Sequence, residues 1–312
     1  MRLKKIQLIF FIIGLWVCQG CNEEKQMTPP DTPASGEIKI SVDESFRPVM
    51  EEEINAYIAS NPGAKFNVSY LPEAECLKDL YYDSTTRMVI VTKGLKKNEE
   101  DFLKQKLGYD PSWNLVALDA IAIMVNSKSS DTMFTLASLK QLLSGKLKSG
   151  KKIVFDGLSA TSTLRFIQDS VMKGEALDTS VVKAADGSQA VLDFVADNAN
   201  AIGLVGISWI GNPEDTAQVN RLKKIRMAYV KCEWCTDSPY VRPGQESINN
   251  KRYPLVRGLY YVLKENYYGL GNGFADFLKY ERGQLIIRRA YLGPVMNFDT
   301  RNIRINQKLP KN

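Results

Sequence analysis

Histidine is absent from all 312 residues. Without it there is no Ser–His or Cys–His nucleophile pair, and the commonest metal ligand is missing. Carboxylate or lysine chemistry needs no histidine, but the sequence offers no paired base and no metal-ligand cluster. We therefore expect a protein that is not an enzyme and carries no metal and no cofactor. Cysteine is scarce, at five residues. Cys232 and Cys235 form a CxxC, Cys76 stands alone, and Cys18 and Cys21 fall at the end of the leader; with no histidine, a zinc site has little support. Pro239 and Pro243 follow closely and place the CxxC in a loop, where a Cys232–Cys235 disulfide is expected rather than redox work. Long basic runs are also missing. The formal net charge of +6 falls to +3 once Arg2, Lys4 and Lys5 of the leader are set aside. Lysine and arginine are otherwise spread out, so no nucleic-acid partner is expected.

What is present begins with an address. Residues 1–21 read MRLKKIQLIFFIIGLWVCQGC, a basic start and an apolar stretch, Ile6–Val17, that is short for a membrane span. A small residue before Cys21 resembles a bacterial lipoprotein signal. On that reading residues 1–20 are removed and Cys21 is lipidated, leaving the protein on the membrane through its lipid, in the periplasm or at the cell surface. The same stretch also reads as an uncleaved anchor helix. Residues 21–36 are rich in Pro, Thr, Glu and Ser and read as a flexible tether.

From Ile38 onward, strand patterns alternate with helix patterns. Strands are expected at Ile38–Val42, Phe66–Leu71, Met88–Val91, Ile153–Phe155, Val181–Ala184 and Ala201–Val205, with Leu222–Val230 a further candidate. Helices are expected after Pro48, over Glu73–Tyr82, from Asn98 to Leu107, over Leu136–Leu143, from the Ser162 region to Gly174, after Ser188, and over Phe274–Tyr280 and Gln284–Tyr291. Such alternation argues for an α/β fold with mainly parallel sheets. Ligands of such sheets sit beyond the carboxyl ends of the strands. Two junctions of that kind stand out. One is Asp156–Phe166, DGLSATSTLRF, where Ser159, Thr161, Ser162 and Thr163 lie between a strand and a helix. The other is Asp43–Pro48, with Ser45 before the helix. Hydroxyls beside unpaired helix amides make a seat for an oxyanion. They also make an ordinary helix cap with no ligand.

Several stretches in order resemble a known family. Val116–Asn126 (VALDAIAIMVN), Leu136–Lys146 (LASLKQLLSGK), Asn200–Gly206 (NAIGLVG), Tyr253–Tyr260 (YPLVRGLY) and the Gly283-Gln284 and Leu292-Gly293-Pro294 landmarks are similar to periplasmic phosphate-binding proteins of ABC importers. The resemblance implies the two-lobed type II periplasmic-binding-protein fold, with crossings near Leu118–Val125 and Leu255–Leu263. Lobe one would be residues 37–118 plus 259–312, and lobe two 119–258. It implies a monomer that captures inorganic phosphate, or a related oxyanion, in the interlobe cleft and docks on ABC transporter membrane subunits. A sensing or interaction lipoprotein with another oxyanion or none fits the same scaffold. By the resemblance, Ser45-Phe46, Thr92, Ser159, Thr161, Ser162 and Thr163 would line the cleft.

The charged positions depart from the family. Lys152–Leu158 holds no arginine where the family has one, Ala160 or Thr161 stands at the glycine of its Ser-Gly-Thr turn, and Glu73-Ala74-Glu75 replaces a Ser/Gly-rich region. With Thr92 where some members have aspartate, Glu73 or Glu75 is a candidate acceptor for the proton of hydrogen phosphate. Arg87 is a candidate replacement cation. Arg87 also reads as a surface partner of a nearby glutamate, and Lys93 as a solvated side chain.

Overall fold

The computed structural model describes residues 31–296 apart from Leu158 and Pro213. The leader and Cys21 lie outside the described residues. The first strand starts before the tether was expected to end: β1 spans Ser35–Asp43, and Asp31 is already buried. Ile38, Ile40 and Val42 alternate along β1 and all are buried, each contributing about 1.5–3 kcal/mol of transfer free energy. Then come helix α1 (Arg47–Ser60), β2 (Gly63–Leu71), α2 (Glu73–Tyr82), β3 (Thr86–Val91) and α3 (Lys97–Leu107). Strands β2 and β3 flank β1, both parallel to it.

The chain then enters a 15-residue strand, β4 (Ser112–Asn126). After it come β5 (Met133–Phe134), α4 (Leu136–Leu143), β6 (Lys152–Phe155), α5 (Ser162–Ile167), β7 (Val182–Ala184), α6 (Gly187–Asp197) and β8 (Ala201–Gly206). The helix expected to run to Gly174 changes pitch, with a wider turn at Gln168–Met172 and left-handed backbone at Lys173 and Gly174. The candidate strand Leu222–Val230 proves to be a turn after a short helix, α7 (Thr216–Arg221), followed by two short strands, β9 (Ile225–Met227) and β10 (Tyr229–Lys231). The chain closes with β11 (Tyr240–Val241), α8 (Gln245–Asn249), β12 (Val256–Leu263), α9 (Leu270–Lys279), α10 (Glu281–Arg289) and β13 (Gly293–Pro294). The Cys232–Cys235 disulfide is formed, and Cys76 is free and buried.

The main sheet runs β2-β1-β3-β12-β4-β8-β6-β7. Strand β4 serves both halves. Its first part, Ser112–Ala120, pairs with β12, and Ile121–Val125 pairs with β8, both antiparallel. Parallel pairs lie on either side, β1 with β2 and β3, and β6 with β7 and β8. This α/β arrangement is the one expected of the two-lobed type II periplasmic-binding class, with β4 as the strand that passes from one half to the other. Ile121, Ile123 and Val125 are buried and extend one core through the crossing. Among the described residues no helix is long and apolar enough to cross a membrane.

Helix α6 rests on β8 at Gly203. A Cβ there would meet Val191 Cγ1 at 2.7 Å and Val195 Cγ2 at 2.8 Å. The contact is too close for a methyl group, so the helix would have to lift from the sheet. Gly203→Ala is expected to lower stability by about 1–3 kcal/mol, read as a lower urea midpoint with an unchanged slope.

Candidate functional site

The carboxyl end of β1 is Asp43. Its Oδ1 accepts the Ser45 N–H at 3.1 Å and so shapes the tight turn Glu44–Phe46, in which Ser45 and Phe46 are buried. From the other half of the sheet, β6 delivers Asp156 and then the start of α5. Thr161 caps α5, its Oγ1 accepting the Leu164 N–H at 3.4 Å, and Thr163 Oγ1 donates to Asp156 Oδ2 at 3.0 Å. The two junctions meet: Ser45 Oγ lies 3.2 Å from Ser162 Oγ, and both residues are buried. Ser208 Oγ donates to the Ser45 carbonyl at 3.1 Å, and the Glu44 carboxylate accepts the Ser188 hydroxyl at 2.9 Å.

The cation at this meeting point is Arg257. It sits opposite Asp119 in the β12–β4 register, at the end of the stretch where those strands pair. Its Nε donates to Asp119 Oδ2 at 2.7 Å, and its Nη1 donates to Ser162 Oγ at 2.9 Å. The guanidinium carbon stands 5.2 Å from the Phe46 ring centroid, a cation–π distance. Gly206 leaves room beside it, since a Cβ there would lie 3.4 Å from Nη2. Four buried atoms here have no partner at hydrogen-bond geometry: Arg257 Nη2, Asp43 Oδ2, Asp119 Oδ1 and Asp156 Oδ1. The site thus keeps a spare charged donor and three spare carboxylate acceptors, a set that suits a ligand with both oxygens and a proton.

The electrostatics follow from burial. Desolvation pushes Asp43 up to about 7, opposed by Arg257 and helped by the negative charge of Glu73. Desolvation also raises Asp156, against its threonine hydrogen bonds. Burial works against a charged Arg257, but the facing carboxylates of Asp119 and Asp43 outweigh it and keep the guanidinium protonated.

Glu73 and Thr92 lie in an adjacent cluster. The Thr92 N–H donates to Glu73 Oε1 at 2.9 Å, and Arg165 of α5 donates to Glu73 Oε2 at 2.6 Å and to Thr92 Oγ1 at 2.6 Å. Burial alone would raise the Glu73 carboxyl, but Arg165 and Thr92 hold it below its usual value. So Glu73 is committed to Arg165, and the acids with spare acceptors at the serine pair are Asp43, Asp119 and Asp156. Glu75 pairs with Lys78 at 3.2 Å and Lys93 with Glu99 at 2.9 Å. Ser159 is exposed, unlike the buried pair.

Arg87 is not the cation of this site. It bridges Asp31 and Glu265, whose carboxylates receive the first amides of α9. The reason is strand polarity. Arg87 is the second residue of β3, whereas Thr92 follows the carboxyl end, five residues or roughly 17 Å farther along. Strand β12 runs the opposite way, so its early residue Arg257 arrives at the carboxyl ends of its neighbours. A lone arginine in the apolar stretch YPLVRGLY was the sequence signal for it. Ala160 takes the left-handed backbone expected of a glycine in the turn, with φ of 69°.

A family model described as a PBP superfamily domain matches residues 28–281. Among solved structures, the chain is similar to a protein described as a phosphate ABC transporter substrate-binding protein with bound phosphate from Clostridium perfringens. The two are 24% identical with a TM-score of 0.68, covering 84% of this chain and 100% of the other. It is also similar to an ABC-type phosphate transport receptor from Vibrio cholerae, at 18% identity and TM-score 0.59, covering 83% and 100%. The regulatory domain of a LysR family regulator from N. meningitidis has the same fold at 10% identity and TM-score 0.53, covering 84% and 99%. No curated protein matches the chain.

Asp43 makes stability depend on pH with a definite sign. Between about 4 and 7 the folded chain keeps this proton and the unfolded chain has lost it. The unfolded state therefore binds fewer protons, and this contribution to stability declines as pH rises through that window. Asp43→Asn should flatten that part of the profile, so the gap between variant and parent in urea midpoint should move in the variant's favour from pH 4 to pH 8.

Proposed function

Because the chain belongs to the PBP superfamily, we propose that it is a lipid-anchored solute-binding protein that captures inorganic phosphate in a cleft between two lobes for an ABC importer. The observation that carries the reading is the convergence of Ser45 and Ser162, with their hydroxyl oxygens 3.2 Å apart and Arg257 Nη1 at 2.9 Å from one of them. Lobe one, residues 37–118 and 259–312, supplies Asp43, Ser45 and Phe46. Lobe two, residues 119–258, supplies Asp156, Ser162, Thr163 and Arg257. A ligand touching both sets favours the closed arrangement by its differential contacts. The closed form then docks as a monomer on the membrane subunits of the importer.

The chemistry selects the ion. Hydrogen phosphate brings oxygens that accept and a proton that donates. Arg257 Nη2 and the serine hydroxyls serve the oxygens, and charge-assisted bonds of this kind are the strong ones. Asp43 or Asp156 serves the proton. With one proton between carboxyl and ligand, the contact is attractive whichever of the two holds it. Sulfate brings no proton at neutral pH, so an ionised Asp43 repels it. Thr163 acts by holding Asp156, and Phe46 by lying under the guanidinium. Nothing in this set forms or breaks a covalent bond, and the chain is read as a binder.

Titration calorimetry at pH 7.5 is expected to show phosphate binding at micromolar affinity or tighter and no comparable binding of sulfate. Ser162→Ala should weaken phosphate by at least about tenfold, the cost of a hydrogen bond to a charged group. Asp43→Asn should narrow the preference for phosphate over sulfate. Unchanged phosphate affinity in Ser162→Ala would place the anion elsewhere.

A further inference from the structure

We propose that a cavity of about 450 Å³ beside the serine pair is a subsite for the organic group of a small phosphomonoester whose phosphoryl head occupies the Ser45–Ser162–Arg257 site. This rests on the phosphate reading of that site. The cavity lies between the first turns of α2 and the start of α5, and its volume falls in the range of small-molecule pockets. An inorganic tetrahedral anion needs far less room.

The cavity's walls hold none of the cradle's own residues but reach their neighbours. Thr161 lines it and immediately precedes Ser162, while Glu73 lines it and its negative charge is felt at Asp43. The character of the walls differs from that of the cradle. Leu77, Leu164 and Leu177 give apolar surface, which favours a hydrocarbon group over a hydrated ion. Arg165 lines the cavity, donating to Glu73 and Thr92 and keeping about a third of its side chain exposed, at 37%. The backbone N–H of Ala74 donates to the Ala160 carbonyl at 3.0 Å, so the opposing walls are tied together. An ester oxygen directed toward Thr161 therefore leads its substituent onto leucine side chains, with Arg165 and Glu73 as the polar rim.

Calorimetry of the purified protein with inorganic phosphate and with propyl phosphate tests this. Propyl phosphate should bind within about tenfold of phosphate. Leu164→Trp, which fills the cavity from α5, should weaken propyl phosphate by at least about tenfold while leaving phosphate within about twofold. Ala74→Trp fills it from the exposed face of α2 and should act the same way without disturbing the core. Phosphate bound with no binding of the ester overturns the subsite and leaves the cradle standing. Equal losses for both ligands in both variants overturn it as well. Failure of both ligands to bind the parent protein removes the cradle reading, and the subsite with it.

Discussion

The buried Arg257–Asp119 pair organises this protein. The two residues are direct register partners on β12 and on β4, the strand that runs on into the other half of the sheet, and their side chains are almost fully buried. Taking two charges out of water costs several kcal/mol per ion before their attraction and hydrogen bonds offset it. Such a pair gives little reason for stability by itself. Its value here is placement: Asp119 uses one edge of the guanidinium and turns the other edge toward Ser162 and the carboxylates at the strand ends. A charged donor is thereby fixed where strands from both halves arrive.

Other features follow from that fixed charge. Asp43 and Asp156 tolerate burial because a guanidinium lies nearby, and they stay partly unpaired because it is already shared with Asp119. The serine hydroxyls converge because each stands just past the carboxyl end of a parallel strand, where helices begin and the chain turns away. Around this centre, contacts between the two halves of the sheet recur with one pattern. Acids from the β1–β3 side, Glu44, Glu52 and Glu73, meet donors from the β6–β8 side, Ser188, Asn212 and Arg165. The junction is thus held by polar groups of modest individual strength, which suits surfaces that separate and rejoin more readily than an apolar seam would.

Much of this was written in local pattern. Alternating Ile38, Ile40 and Val42, the hydroxyl cluster before Leu164, and the apolar runs that became β4 and β12 each declare their element over a few residues. From those, the α/β class could be read, together with two hydroxyl-bearing junctions at strand ends; that Ser45 and Ser162 meet was implied only by the family resemblance. The reading failed for charge. Arg87 and Glu73 lay near the right strands in sequence, but one sits at the wrong end of its strand and the other is taken by Arg165.

The sequence by itself determined which segments form strands and helices, because that depends on neighbours within a turn or two. It also determined that hydroxyls stand at strand ends. Only the tertiary structure decided which charges face them. Arg257, Asp119 and Asp43 come from three strands and Asp156 from the turn after a fourth, spread over more than two hundred residues, and strand direction and register bring them together. Electrostatic partnership is set by distance in space, and a chain's local pattern carries no record of that distance.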